Sequence, residues 1–167
     1  MKKWNIKKVL KELAIGVLIL FVISNLFSYL RKPILDSNTL PQMQIRLLDN
    51  TLFSSKNLKG KPVVIHFWAT WCPTCKLEAP NIQNISEHYN VLTIAVQSGS
   101  SAELQAYIRE RNLSFNVLND KKGIWSRKFH VQAFPTSFIY NSKGKLAFTE
   151  VGYTTTAGLL ARLKIIE

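Results

Sequence analysis

Cys72 and Cys75 are the only cysteines in the chain, and they stand two residues apart in Phe67-Trp68-Ala69-Thr70-Trp71-Cys72-Pro73-Thr74-Cys75-Lys76. Two thiols at this spacing can exchange disulfides: one attacks or is attacked, and the other resolves the mixed disulfide. The β-branched and aromatic run 63–68 just before them reads as a buried strand, and residues 76–88 read as a helix that begins near the pair. The pair therefore falls at a strand-to-helix junction. There the first N–H groups of the helix are unpaired and carry partial positive charge, which favours a thiolate at Cys72 and so a nucleophile reachable from solvent. Pro73 suits a first helical turn, because its missing N–H has no intrahelical partner there and its φ is already helical. Cys75, three residues on, faces the same side.

Three other uses of the pair compete with exchange. A purely structural disulfide would close a loop of about four residues and contribute only roughly 2 kcal/mol, against about 3 for a fifteen-residue loop. A tetrahedral zinc site wants four ligands, and beyond the thiols the chain offers only the widely spaced His66, His88 and His130. Both thiolates could instead hold Cu(I) in a non-catalytic copper chaperone. Only Met1 and Met43 are available to assist that, and there is no histidine- or methionine-rich tract. No other cofactor or metal is expected.

The basic residues Lys2, Lys3, Lys7, Lys8 and Lys11 precede an uncharged stretch, residues 13–30, and Arg31 and Lys32 follow it. Eighteen such residues just reach the width of a bilayer core. The charge bias keeps the N-terminus in the cytoplasm. The reading is thus a cytoplasmic tail over 1–12, a single-pass inner-membrane anchor over 13–30, a tether over 31–41, and an exported domain over 42–167 on the periplasmic or extracytoplasmic side. A cleaved signal peptide is the alternative, but residues 25–29 supply no small-x-small site. Export places the thiols where a disulfide persists.

The whole chain carries a formal charge of +12. Setting aside residues 1–32 leaves 15 basic and 9 acidic residues, net +6, scattered without a basic run interleaved with aromatics. Nucleic-acid binding is not expected. A mildly basic domain is drawn to an anionic membrane surface in any case.

About 135 exported residues fit one domain with a single core. Strands are predicted at 44–48, 51–53, 63–68, 91–96, 115–118, 136–140 and 145–151. Helical segments are predicted at 54–58, 76–88 with a bend or interruption at Pro80, 101–111 capped by Ser101, 121–130 and 155–166. Strand and helix alternate in the middle, which calls for parallel strands with crossovers, and the end is antiparallel. The fold class is α/β, a mixed central sheet flanked by helices.

The segment 68–75, the later Phe134-Pro135-Thr136 and this order of elements resemble the thioredoxin superfamily. Within it, the N-terminal anchor, the lead-in hairpin and Cys75-Lys76-Leu77-Glu78-Ala79-Pro80 resemble the membrane-tethered TlpA/ResA/CcmG branch of extracytoplasmic thiol–disulfide oxidoreductases. Cys-Pro-Thr-Cys is similar to the cytochrome c maturation thioredoxins. The segment Val131-Gln132-Ala133-Phe134 departs from the glycine-rich, acidic segment usual in those proteins. With 93–99 and 135–138, it looks closer to the anchored disulfide oxidoreductases associated with suppression of copper sensitivity.

The resemblance implies a redox-active Cys72–Cys75 disulfide, and a cis Pro135 whose loop lies against the dithiol. Phe134 would then offer its backbone to an extended substrate segment. Trp71, Pro73 and Thr74 would contact the partner, while Trp68 packs. Glu78 either complements the helix dipole or, as the branch suggests, accepts the proton of Cys75. His66 shares its strand face with Val64 and Trp68, where thioredoxins carry a buried acid. It is a satisfied core histidine or, if close to Cys75, a helper in moving that proton. Trp125, His88 and His130 carry no chemistry. The implied partners are exported proteins with thiols or disulfides and a transmembrane electron donor of DsbD/CcdA type. The protein would act as a monomer and a reductant, with the disulfide-forming oxidant as the alternative direction.

Overall fold

The computed structural model describes residues 6–58 and 60–167 and divides them between two compact units, one up to Lys32 and one from Pro33 to Glu167. The first consists of helix α1, Ile6–Leu30. Residues 1–5 of the expected cytoplasmic tail lie outside the described residues. The expected anchor falls within α1, yet no helix among the described residues is long and apolar enough to cross a membrane.

The second unit is built on a sheet in the order β5-β4-β3-β6-β7, with β3 (Val63–Trp68) at its centre. β3 pairs in parallel with β4 (Asn90–Val96), and β4 in parallel with β5 (Asn116–Asp120). On its other side β3 pairs antiparallel with β6 (Thr136–Tyr140), and β6 with β7 (Leu146–Val151). This is the expected mixed sheet. A separate antiparallel hairpin of β1 (Gln44–Arg46) and β2 (Leu52–Ser54) leads in through the Asp49-Asn50 turn, where the Asp49 carboxylate accepts from the N–H and hydroxyl of Thr51. A 3-10 turn, Ser55–Leu58, follows as predicted.

All six residues of β3 are buried, because a core lies on each of its faces. Val64 and Trp68 face α2 (Pro73–Ser86), α3 (Ser101–Glu110) and α5 (Thr156–Ile165), whose Ile82, Ile85, Leu104, Leu159 and Leu163 are fully buried. Val63, Ile65 and Phe67 face the other way, toward Met43, Leu47 and the end of α4 (Ile124–Lys128). The second core centres on three rings: Phe67, Phe129 and Phe138 stand 5.0 to 5.8 Å apart in tilted or edge-on pairs, a geometry favoured by the ring quadrupole. The segment predicted as a tether is partly bound to this unit. Leu40 N–H donates to the Gly144 carbonyl at 2.8 Å, and Leu146 N–H to that of Asn38 at 2.7 Å.

Among the boundaries that differ from expectation, three bear on how the helices are set. α2 starts at Pro73 rather than residue 76 and continues through the exposed Pro80 instead of breaking there. α3 is capped by Ser100, not Ser101. Only Ser100 has Glu103 at the third helical position, and the two close a reciprocal box in which Glu103 N–H donates to Ser100 Oγ and Ser100 N–H to Glu103 Oε2. The predicted 121–130 helix is reduced to α4, because Gly123 takes φ 64° and the buried Asp120 carboxylate receives the N–H groups of Ile124 and Ser126. Phe138→Ala should therefore destabilise the domain by about 3–5 kcal/mol. Leu77→Ala, at a position 71% exposed, should stay within about 0.5 kcal/mol in the same denaturant titration.

Candidate active site

The dithiol sits where β3 gives way to α2. Cys72 is the N-cap of that helix, with extended backbone, and its sulfur accepts the Cys75 N–H at 3.2 Å. Pro73 occupies the first helical position, so this turn leaves no proline donor to satisfy. The sulfur of Cys72 also lies 3.7 Å from the Phe134 carbonyl oxygen, across 62 residues of sequence. The Phe134–Pro135 bond is cis, as the resemblance implied, and Pro135 is buried at the entrance to β6. The loop is shaped by Thr136 Oγ1 donating to the Ala133 carbonyl, and joined to the end of β7 by Gly152 N–H donating to the Pro135 carbonyl.

Trp71 is 57% exposed beside the pair. Its indole N–H reaches the Gln97 carbonyl at 3.3 Å, and its ring meets Phe134 edge-on at 5.6 Å. Pro73 is exposed and Thr74 half-buried. The reachable sulfur, however, is more covered than the sequence suggested. Cys72 retains 5% of its exposure and Cys75 2%. The Pro135 loop is what differs: its Phe134 carbonyl is brought against the sulfur, a contact no local motif encodes. Both cysteines are free thiols.

Cys75 faces inward from the first turn of α2. Burial above all pushes its thiol well above the usual cysteine range; the hydrogen bond with Cys72 and the negative charges of Cys72 and Glu78 act in the same direction, opposed by the Ala69 backbone. Glu78 lies one turn further on and is 1% exposed. Its Oε1 accepts the Thr154 N–H at 2.9 Å, while Oε2 has no partner. Burial pushes the Glu78 carboxyl up to about 8, against the pull of that N–H. A surface complement to the helix dipole would not be buried in this way.

His66 is a satisfied core residue in one respect: its Nδ1 lies 2.8 Å from Ser137 Oγ on the facing strand. Burial lowers its pKa to about 3, so the ring is neutral. Trp68 packs, as expected, against Tyr107 and Phe115. Met43, the described methionine that could have helped bind a soft metal, is buried in the opposite core. No group of three or more His, Cys, Asp or Glu side chains among the described residues could hold a metal ion. Missing from the sequence reading is the loop 152–155 that holds Glu78. The Asn81 amide donates to the Tyr153 hydroxyl and the Thr154 carbonyl, and Thr156 Oγ1 donates to the Asn81 carbonyl oxygen. Asn81 is one turn beyond Glu78, but nothing local announces that residues more than seventy positions later return to it.

A strand, a dithiol on a helix N-terminus and a cis-proline loop against it define a thioredoxin-like disulfide oxidoreductase. The chain belongs to the AhpC/TSA family, which it matches over residues 37–149. It is similar to a thioredoxin-like protein of Haemophilus influenzae, 30% identical over 165 residues covering 98% of each chain. It is likewise similar to the thiol-disulfide oxidoreductase ResA of Bacillus subtilis, 30% identical over 115 residues, 66% of this chain and 64% of that one. The crystal structure of StoA from Bacillus subtilis superposes with a TM-score of 0.65 at 26% identity, covering 75% of this chain and 98% of that one. These relatives agree with the TlpA/ResA/CcmG type.

The raised Glu78 carboxyl has a consequence for stability. Between the ordinary carboxyl value of 4.5 and about 8 the folded chain keeps a proton that the unfolded chain has released, so stability falls as pH rises through that window. The upper bound is on the order of 5 kcal/mol. Neutral His66 acts the opposite way: its contribution is present above 6.5 and lost as pH falls toward about 3. Glu78→Gln, which leaves His66 unchanged, should unfold at a higher temperature than wild type at pH 8.5 and converge with it near pH 5. Parallel melting curves across that range would contradict the assignment.

Proposed function

We propose that the chain is a membrane-anchored, extracytoplasmic thiol–disulfide oxidoreductase that reduces disulfides of exported proteins. The observation that carries the reading is the Cys72 sulfur held between the Cys75 N–H and the Phe134 carbonyl. In the forward direction the Cys72 thiolate attacks a substrate disulfide, forming one S–S bond and releasing one substrate thiolate. Cys75 then gives its proton to Glu78 and attacks Cys72, expelling the second substrate thiolate and leaving Cys72–Cys75 oxidised. Two electrons have passed to the substrate. A transmembrane donor of DsbD/CcdA type returns them.

Glu78, with its carboxyl near 8, is ionised to roughly one part in ten at pH 7, and a base tuned close to the working pH serves proton transfer well. The reductant direction is supported by Cys75. A thiol that burial holds protonated gives the reduced state no thiolate stabilisation of the kind that makes an oxidant. Phe134, Pro135, Trp71, Pro73 and Thr74 form the edge along which an extended substrate segment would lie. The anchor reading rests on the uncharged sequence stretch 13–30. The lysines before that stretch orient the tail toward the cytoplasm.

Cys72→Ser should abolish disulfide exchange in an insulin-reduction assay, and Cys75→Ser should accumulate mixed disulfides with exported proteins on non-reducing gels. Equal trapping by both variants would contradict the division of roles. The full chain should stay with membranes through an alkaline carbonate wash, and a chain lacking residues 1–32 should be released. Release of both would remove the anchor from the account.

A further inference from the structure

The turn between β6 and β7 and the segment that leads into β3 meet at one end of the domain, around a cleft of about 420 Å³. Gly60 N–H donates to the Ser142 carbonyl at 3.0 Å, and the Asn141 side-chain oxygen accepts the N–H groups of Lys143 and Lys145, so two segments far apart in sequence are fixed against each other. Lys56, Lys61 and Lys143 line the cleft, and no carboxylate does. Lys145 stands in the same turn as Lys143. All four lysines are exposed, and none takes part in an ion pair among the described residues. Lys61 also borders a neighbouring cleft that holds Glu87 and Glu167, which leaves Lys56, Lys143 and Lys145 as the centre of the positive charge. Like charges gathered in this way repel one another until a negative surface meets them.

The chain enters the domain at this same end. Thr39 and Leu40 line the cleft, Thr39 pairs with Lys145, Leu40 N–H donates to the Gly144 carbonyl, and the Asn38 carbonyl accepts the Leu146 N–H. Only eight residues lead from Leu30, where the uncharged stretch ends, to Asn38, a reach of at most roughly 28 Å when fully extended. The dithiol is at the other end. β3 runs from Val63, which lines the cleft, to Trp68, just before the Cys72 turn, and an extended strand of that length covers roughly 17 Å.

We propose that this lysine-lined end is a docking surface for an anionic phospholipid bilayer, on which the exported domain rests with its dithiol turned away from the lipid and toward exported proteins. Lipid phosphates supply the negative charge that the cleft lacks. The short lead from residue 30 selects the bilayer over an acidic protein, because it keeps this end within reach of lipid at all times. The attraction fades beyond a Debye length of about 8 Å, so docking is reversible and leaves the domain free to turn toward a donor in the membrane. The inference rests on the anchored reading above.

The test is acetylation of the purified full-length protein in nanodiscs, made of phosphatidylcholine alone or with about one-third phosphatidylglycerol, followed by mass spectrometry of each lysine. With phosphatidylglycerol, Lys56, Lys143 and Lys145 should react about five-fold more slowly, and molar salt should remove the difference. Lys76, just past the dithiol, and Lys121 and Lys122, which follow the same end of the parallel strand β5, should be unchanged. Equal rates at Lys56, Lys143 and Lys145 in the two discs overturn the proposal. So does equal slowing at Lys76, Lys121 and Lys122, which would mean attraction without a preferred face. Slowing of the cleft lysines in phosphatidylcholine discs by added inorganic phosphate would assign the cleft to a soluble anion and overturn it too. A chain that elutes with discs of neither composition overturns both the anchored reading and this one, whereas a disc-bound chain with unmoved lysines overturns this one alone.

Discussion

Everything in the site depends on one hydrogen bond, the Cys75 N–H donated to the Cys72 sulfur at the first turn of α2. It exists because a helix begins with N–H groups that have no carbonyl behind them, and because the chain puts a sulfur where a serine or aspartate cap usually stands. Such a bond strengthens as its acceptor gains negative charge. The same geometry sets the two cysteines apart. One caps the helix at the opening, and the other, three residues on, turns into the core.

The second constraint is burial. β3 can be apolar on both faces only as the centre of a covered sheet, and that cover extends to the groups behind the dithiol. Cys75 and Glu78 both resist ionisation for the same reason, loss of water, and the Glu78 charge makes that of Cys75 harder still to hold. The loop 152–155 keeps Glu78 in that position through Thr154, and Asn81 in turn keeps the loop. A thiol and a carboxyl on α2 and a backbone N–H of the loop 152–155 are thus brought together from two separate segments. The Pro135 loop adds the fourth side, bringing a carbonyl to the sulfur and a short stretch of backbone to the opening.

Much of this was legible in the sequence. The run 63–68 matched β3 residue for residue, because a fully buried strand must be continuously apolar apart from groups that find partners, as His66 does in Ser137. The run 136–140 matched β6 equally well. The Cys-Pro-Thr-Cys segment placed the chemistry, and its spacing to Glu78 put a carboxyl one turn beyond Cys75. Boundaries were less legible wherever a cap depended on a specific side-chain reach, as at Ser100 rather than Ser101, and at Asp120 with Gly123. The groups that reach the site from far along the chain could not be read at all. Thr154 meets Glu78 across 76 residues, and Phe134 meets Cys72 across 62, through packing of the whole domain rather than any local pattern.

The most direct test of the unequal roles of the two sulfurs is chemical. Reduced protein treated at pH 7 with one equivalent of iodoacetamide, then digested and mapped by mass spectrometry, should carry the label almost entirely on Cys72, with Cys75 modified only after unfolding. Equal labelling of the two sulfurs, or preferential labelling of Cys75, would contradict the assignment of Cys72 as the attacking group.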